Sequence, residues 1–173
     1  MQVLTFPNPK LRTKAQKILK ITPEIKKTLD DMLKIMYQKK GVGLAATQVD
    51  VHLAMIVIDI SEKQNQPLKL INPVIINKSD TQDEEEGCLS VPGFRADIKR
   101  AQNITYTATD ENNKETTKDV TGLMAVCIQH EIDHLKGKLF IDYLSNAKRQ
   151  KVRTLIKKNQ NNKNNKNNKN NKQ

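Results

Sequence analysis

The chain has 173 residues, which is enough for one domain with a sizeable hydrophobic core. Its net charge is +11, but ten of the 30 Lys and Arg residues, and none of the 19 acidic residues, lie between positions 145 and 173, so the rest of the chain is nearly neutral and requires no polyanionic substrate. No apolar run approaches the roughly 20 residues that span a bilayer, no secretory signal is visible, and the two cysteines are best interpreted as free thiols, so we expect a cytoplasmic protein without membrane contact.

The first clear element is an amphipathic helix that begins after Thr22. Thr22 can cap the helix and Pro23 suits its first position. Five apolar residues then recur at helical spacing on one face, namely Ile25, Leu29, Met32, Leu33 and Met36. The glycine at position 41 is a normal helix stop.

Residues 41–48, Gly-Val-Gly-Leu-Ala-Ala-Thr-Gln, form a glycine-rich loop that fits the pattern G-x-G-x-x-[GA]. That pattern binds dinucleotides when a strand precedes it and a helix follows it. Here the order is reversed, so no nucleotide cofactor is expected. The glycines instead indicate a close approach to the backbone, and Gln48 brings an amide to the site that the loop borders.

Five segments have the composition of strands: residues 51–60, 68–76, 97–102, 104–109 and 115–120. Pro73 predicts an edge or a bulge in the second of them, and residues 110–113 predict a hairpin turn between the last two. The acidic run at 83–86 is typical of a solvated loop and leads to Cys88. We predict an α+β fold, with antiparallel or mixed sheets packed around a central helix, an N-terminal amphipathic helix and a C-terminal basic helix.

The predicted central helix, residues 122–136, contains the pattern His130-Glu131-x-x-His134. Two histidines four residues apart are rotated by about 40° from each other, so both imidazoles can bind one metal ion. Glu131 is then placed to take a proton from a water that the ion activates. More than half of the helix circumference is apolar, which predicts that the helix is largely buried.

A catalytic site of this kind normally has a third protein ligand. Cys127 shares a face with His130, but it lies about 10 Å of helical rise from His134, whereas ligands of one ion lie about 3–4 Å apart. Cys88 comes from a separate segment and has no such restriction. We therefore predict that Cys88, His130 and His134 bind the metal and that Cys127 forms an apolar wall of the pocket. The Gln48 side chain and the Leu89 backbone N–H are candidate donors to a developing oxyanion.

The C-terminal part of the chain divides in three. Residues 140–144 are expected to be a short strand or an extended link, residues 147–158 a basic helix, and the following Asn/Lys repeat disordered. We predict a catalytic domain at 1–144, a basic helix at 145–158 and a disordered tail at 159–173.

Three motifs together resemble those of the peptide deformylase family, in its order and spacing. They are residues 41–48, residues 86–90 (Glu-Gly-Cys-Leu-Ser) and residues 129–134 (Gln-His-Glu-Ile-Asp-His). The resemblance covers residues 1–158. It implies removal of the N-formyl group from the formyl-methionine of nascent polypeptides, with release of formate. It also implies one divalent ion, Fe²⁺ in the cell, which Zn²⁺, Ni²⁺ or Co²⁺ can replace.

The same resemblance implies the residues that contact the peptide. They are Val42 and Gly43, which would pair with its backbone as an added strand, together with Gly87, Arg95, Leu123, Val126 and Cys127, several of them around the methionine side chain. Arg100 is expected to be structural and to pair with Asp133. The basic C-terminus is expected either to hold the enzyme near ribosomal RNA or to be a solubilising extension.

Two other functions fit parts of the sequence. A general zinc endopeptidase also uses H-E-x-x-H, but such enzymes often take a downstream His or Glu as third ligand, and no histidine follows His134. A nucleic-acid-binding module would use the ten cations of residues 145–173, with the metal as a structural ion. A structural ion usually has four protein ligands, and the sequence offers only three.

Overall fold

The computed structural model describes residues 1–170, and the side chains of residues 1–158. Its helices are α1 (Pro23–Gln38), α2 (Gly122–Leu135) and α3 (Asn146–Asn170). Its strands are β1 (Gly43–Ala45), β2 (Met55–Ile58), β3 (Leu68–Ser79), β4 (Gln82–Cys88), β5 (Val91–Arg100), β6 (Asn103–Thr109) and β7 (Glu115–Thr121). This arrangement confirms the α+β class. Within residues 1–170, no helix combines the length and the apolar content needed to cross a bilayer.

Helix α1 forms where its pattern predicted it. The Thr22 side chain accepts a hydrogen bond from Ile25 N, and Pro23 occupies the first turn. The buried face carries Leu29, Met32, Leu33 and Met36. These residues pack against β1 and β2 in one hydrophobic cluster, so α1 covers one side of the sheet beside the glycine-rich motif.

The main sheet has the order β1-β2-β3-β6-β7, and all of its neighbouring strands are antiparallel. The pairing of β3 with β6 shifts between Ile71 and Val74, so Pro73 lies at a bulge, as predicted, although β3 is an inner strand. The predicted hairpin around residues 110–113 joins β6 to β7. Strand β1 lies at one end of the order and pairs with β2 alone.

Two segments that we predicted as loops are regular structure. The acidic run lies in β4, which pairs with β5, because Glu86 faces inward to a buried arginine while its neighbours face solvent. Cys88 is therefore the last residue of a strand. The glycine-rich segment contributes β1, followed by a 3₁₀ helix at Ala46–Val49, because Leu44 and Ala45 find backbone partners on β2.

The C-terminal prediction also needs correction. Phe140–Tyr143 is a 3₁₀ helix rather than an extended segment, because the Asp142 side chain accepts the Leu139 N–H and pairs with Arg12. Helix α3 continues to Asn170 and does not end at the predicted residue 158, because residues 159–170 contain no proline or glycine that would end a helix. Residues 171–173 of the predicted tail lie outside the described residues, and the division into three parts stays a prediction.

Helix α2 packs against the main sheet. Ala125, Ile128 and Ile132 pack with apolar residues of β2 and β6. Beyond its end, Gly137 has φ of +71° and lies directly against the backbone of Arg12. This contact fixes the exit of α2 to the N-terminal part of the chain.

We expect Gly137→Ala to lower the free energy of unfolding by about 3 kcal/mol, because a Cβ there adds a backbone clash to the left-handed strain. The added atom would lie 2.4 Å from the Arg12 carbonyl oxygen. Gly122→Ala is the matched control: its φ is also positive, at +57°, but its Cβ would meet open space, so it should cost only about 1 kcal/mol. Chemical denaturation of both variants measures the difference, and equal costs would contradict the role of the Arg12 contact.

Candidate metal centre and active site

The two histidines of α2 point to one place. Their Nε2 atoms lie 3.2 Å apart, and both side chains are buried. This follows from the four-residue spacing, which sets the two rings one above the other on one face of the helix. The apolar neighbours of α2 exclude solvent from them on the sheet side.

Cys88, at the end of β4, completes a group of three. Its Sγ lies 3.2 Å from His134 Nε2, and the three donor atoms all lie within 4.8 Å of one another. Ligand atoms around one ion with bonds of 2.0–2.3 Å lie at about this separation. The set of two imidazole nitrogens and one thiolate therefore fits a divalent transition metal, and it leaves a fourth position for water or substrate.

A buried ion pair supports the first histidine. His130 Nδ1 lies 2.7 Å from Glu86 Oε2, and Glu86 also accepts two hydrogen bonds from Arg100, at 2.6 and 3.0 Å. Burial alone would raise the pKa of Glu86, but the hydrogen bonds from His130 and Arg100 bring that pKa below its usual value. The charged carboxylate thus holds the Nδ1 proton and turns the Nε2 lone pair toward Cys88 and His134.

Arg100 is shared between two carboxylates. Its Nη1 lies 2.5 Å from Asp133 Oδ2, as the sequence predicted, and Tyr143 donates its hydroxyl to the same oxygen at 2.8 Å. The Tyr143 ring covers the guanidinium, with 4.8 Å from Cζ to the ring centroid. This chain of contacts joins the C-terminal 3₁₀ helix to His130.

Glu131 follows His130 on α2, and its carboxylate lies against β1. A Cβ on Gly43 would lie 2.4 Å from Glu131 Oε1, so any other residue there would force the carboxylate to move. The groups that approach Gly41 and Gly43 closely are the side chains of Leu89 and Glu131. Burial raises the pKa of Glu131 to about 7, and within the described part of the chain its Oε2 has no hydrogen-bond partner. Such a group can both take and return a proton near neutral pH.

Gln48 reaches the same place from the 3₁₀ helix after β1. Its Oε1 accepts the Ala45 N–H at 2.8 Å. Its Nε2 lies 3.0 Å from Ser90 Oγ and 3.5 Å from Cys88 Sγ. A hydrogen-bond donor is therefore held next to the candidate metal-binding atoms, although 40 residues separate Gln48 from Cys88. Leu89 follows Cys88 directly, and its side chain lies against Gly41.

Cys127 stands apart from the group of three. It is buried among apolar residues of α2 and the sheet, and burial raises the pKa of its thiol to about 12. A thiol of that kind stays protonated and is a poor ligand. One face of α2 carries His130 together with Leu123, Val126 and Cys127. Leu123 is 47% exposed whereas Val126 is buried, so the residues of this face become less exposed toward the histidines.

The remaining residues that we predicted to contact the peptide lie on the β4–β5 hairpin and beside strand β1. Arg95 lies across from Gly87 on the β4–β5 hairpin, where its Nε donates to Glu85 at 2.7 Å. Val42 is 48% exposed and precedes the edge strand β1. The structure thus brings Cys88, His130, His134, Glu131 and Gln48 together.

Sequence reasoning assigned no role to Glu86, Ser90 or Tyr143, although Glu86 and Ser90 lie in the motif at residues 86–90. The signal for Glu86 was its position two residues before the thiol, at the inward phase of a strand, but the acidic run hid it. Nothing local to either Ser90 or Tyr143 predicts its partner, since Ser90 bonds Gln48 from a distant segment and Tyr143 reaches Asp133 only because the chain turns back after α2.

Comparisons with known proteins agree with this geometry. The family model for polypeptide deformylase matches residues 1–150. A peptide deformylase of Pseudoalteromonas translucida (strain TAC 125) is 50% identical over 158 residues, which cover 91% of this chain and 95% of that protein. A solved peptide deformylase from Legionella pneumophila has a TM-score of 0.90 at 38% identity, covering 94% and 96% of the two chains. One from Ehrlichia chaffeensis in complex with actinonin has a TM-score of 0.88 at 37% identity, covering 92% and 96%.

We expect Glu86→Gln to weaken metal binding by about 10- to 100-fold, because the amide holds the His130 proton less firmly and leaves the charge on Arg100 less compensated. Competition with a chromogenic chelator measures the affinity. The matched control is Glu85→Gln, a neighbouring carboxylate whose side chain is 61% exposed, and it should bind metal like the parent protein. Equal losses in both variants would show that Glu86 has no special role.

Proposed function

The chain belongs to the peptide deformylase family of metal-dependent hydrolases, and from this premise we propose that it removes the N-formyl group from the formyl-methionine of nascent polypeptides and releases formate. The observation that carries the proposal is the convergence of Cys88, His130 and His134 beside the Glu131 carboxylate. The fold match to solved peptide deformylases supports it.

We propose that Cys88, His130 and His134 hold the ion. A divalent metal in that position supplies a Lewis acid, which lowers the pKa of water and polarises a carbonyl group. The donor set is compatible with several ions. By family resemblance we propose Fe²⁺ in the cell, with Zn²⁺, Ni²⁺ or Co²⁺ as replacements. Metal analysis of protein purified without oxygen, together with a formate-release assay, tests this choice.

Glu131 is the proposed proton carrier. It takes a proton from the attacking water at its carboxylate and later gives that proton to the amine nitrogen, as the bond between that nitrogen and the formyl carbon breaks. The raised pKa of Glu131 suits both directions of transfer. Its position against Gly43 keeps the carboxylate at the edge strand.

Gln48 and Leu89 are the proposed donors to the formyl oxygen. The Gln48 Nε2 and the Leu89 backbone N–H would donate to that oxygen as it becomes negative, and each is worth about 3 kcal/mol. The position of the Gln48 amide beside Cys88 supports this role.

We propose that the peptide backbone adds to β1 at Val42 and Gly43, since β1 pairs with β2 alone and offers a free edge. The methionine side chain would enter between Leu123, Val126 and Cys127 on α2. Gly87 and Arg95 would border the peptide from the hairpin side. Partial exposure of Val42 and Leu123 supports an accessible cleft there.

We expect Glu131→Ala to retain the metal and to lose formate release from formyl-Met-Ala by about 10³-fold or more, because the water and the leaving amine lose their proton carrier. Metal content and formate release are measured on the same preparation. A longer unformylated peptide is the substrate control, and its cleavage at an internal bond by the parent protein would favour a general endopeptidase. Substantial turnover by Glu131→Ala would show that another group is the base.

The basic helix α3 is a candidate contact with ribosomal RNA. Its described side chains include six Lys or Arg residues between positions 148 and 158, without an acid. The apolar Val152 and Ile156 are buried against Phe140, so the exposed face is the cationic one. We propose that this face holds the enzyme near the ribosome, in the cytoplasm where the substrate is made.

Replacing the exposed Lys148, Lys151, Lys157 and Lys158 with Gln should weaken ribosome association by at least about 10-fold and reduce its salt dependence, because phosphate contacts release counterions. Formate release from formyl-Met-Ala should not change. The control replaces four lysines elsewhere, Lys14, Lys20, Lys26 and Lys63. Co-sedimentation at several salt concentrations gives the comparison, and equal effects of both sets would leave α3 as a solubilising extension.

A further inference from the structure

Ser90 connects three parts of the site. It is completely buried, at 0% exposure, and its Oγ lies 3.0 Å from Gln48 Nε2. Its backbone N–H points to Cys88 Sγ at 3.4 Å, and its carbonyl oxygen accepts the Phe6 N–H at 2.8 Å. One small residue thus touches the proposed metal ligand, the proposed oxyanion donor and the N-terminal segment.

The Gln48 amide is held at both of its ends. The Ala45 N–H binds Oε1 at 2.8 Å, and Ser90 Oγ accepts from Nε2. Because the amide nitrogen carries two hydrogens, the bond to Ser90 uses one of them. The other is directed toward Cys88 Sγ, 3.5 Å away, at the side where the metal-binding atoms meet.

The N-terminal segment closes this arrangement into a ring. Leu4 N donates to the Gln48 carbonyl oxygen at 2.7 Å, while Phe6 N donates to the Ser90 carbonyl oxygen. Residues 4–6 therefore join the backbones of Gln48 and Ser90, and the side-chain bond between these two residues completes the ring. The distance between the Gln48 segment and the Ser90 segment is therefore fixed twice, by residues 4–6 and by the side-chain hydrogen bond.

We propose that Ser90 is a positioning residue that orients the Gln48 side-chain amide, so that its second hydrogen, the one on the Cys88 side, is available to the formyl oxygen. The inference rests on the proposed function, in which Gln48 donates to that oxygen. Without the Ser90 hydroxyl, Nε2 loses a fixed partner and the amide rotates about its last side-chain bond. An oxyanion donor is effective only when it is oriented before the reaction.

The first test is a double-mutant cycle on formyl-Met-Ala. We expect Ser90→Ala to lower kcat by about 10-fold with little change in KM, because the donor acts mainly on the transition state. Gln48→Ala should lower kcat by about 10²- to 10³-fold. The variant with both changes should then match Gln48→Ala alone, since Ser90 has no amide left to orient.

The outcomes separate this inference from the proposed function. If Ser90→Ala leaves kcat unchanged, or lowers it equally in both backgrounds, Ser90 does not act through Gln48 and the inference is wrong. If Gln48→Ala has the parent kcat, the proposed donor itself is wrong. Glu86→Gln is the comparison variant, because it acts through His130, and its factor should be the same with or without Gln48.

A second measurement needs no turnover. In the metal-free protein, hydrogen exchange of the Gln48 side-chain amide should be at least about 10-fold faster in Ser90→Ala than in the parent protein, because the bond that protects it is lost. The Gln129 side-chain amide is the internal control: it is buried, and it donates to the Ala101 and Ala125 carbonyl oxygens and not to Ser90. Unchanged exchange at Gln48 would overturn the proposal.

Discussion

The burial of polar side chains on α2 constrains the whole structure. Gln129, His130, Glu131 and His134 follow one another within six residues of a helix that apolar residues surround. A buried polar group without a partner costs several kcal/mol, so other elements must supply partners at fixed positions. Gln129 bonds both backbone atoms of Ala101, and His130 bonds Glu86. The β4–β5 hairpin is thereby fixed to the helix at two points, near the end of β4 and directly after the end of β5.

The pair of Arg100 and Glu86 shows how this constraint is met. Both side chains are almost fully buried, and desolvation of two charges consumes most of their attraction, so the pair contributes little to stability by itself. What it provides is orientation, because Glu86 can hold the His130 proton only while Arg100 keeps the carboxylate charged. Tyr143 and Asp133 complete the compensation around Arg100. The C-terminal 3₁₀ helix is thus part of the support of the site.

The sequence allowed prediction of the features that depend on local spacing. Helices α1 and α2 and the shared face of His130 and His134 follow from periodicity over a few turns. The helical rise between Cys127 and His134 was enough to exclude Cys127 as a ligand and to indicate Cys88, and the structure brings Cys88 to the histidines. Features that depend on long-range contacts were beyond this reasoning. The acidic run became a strand because one of its carboxylates faces a buried arginine, and composition cannot show which of four acids turns inward.

The contact between Glu131 and Gly43 links the proposed base to the proposed binding edge. Glu131 Oε1 lies so close to β1 that any side chain at position 43 would displace it. Strand β1 also lies at the edge of the sheet: β2 pairs with one of its sides, and no described strand pairs with the other. A peptide that pairs with this edge would lie in a register set by β1, and the same strand sets the place of the carboxylate. In the proposed mechanism, the distance between the bond to be cleaved and the proposed base would then depend on the contact at one glycine, because the same short strand would position both of them.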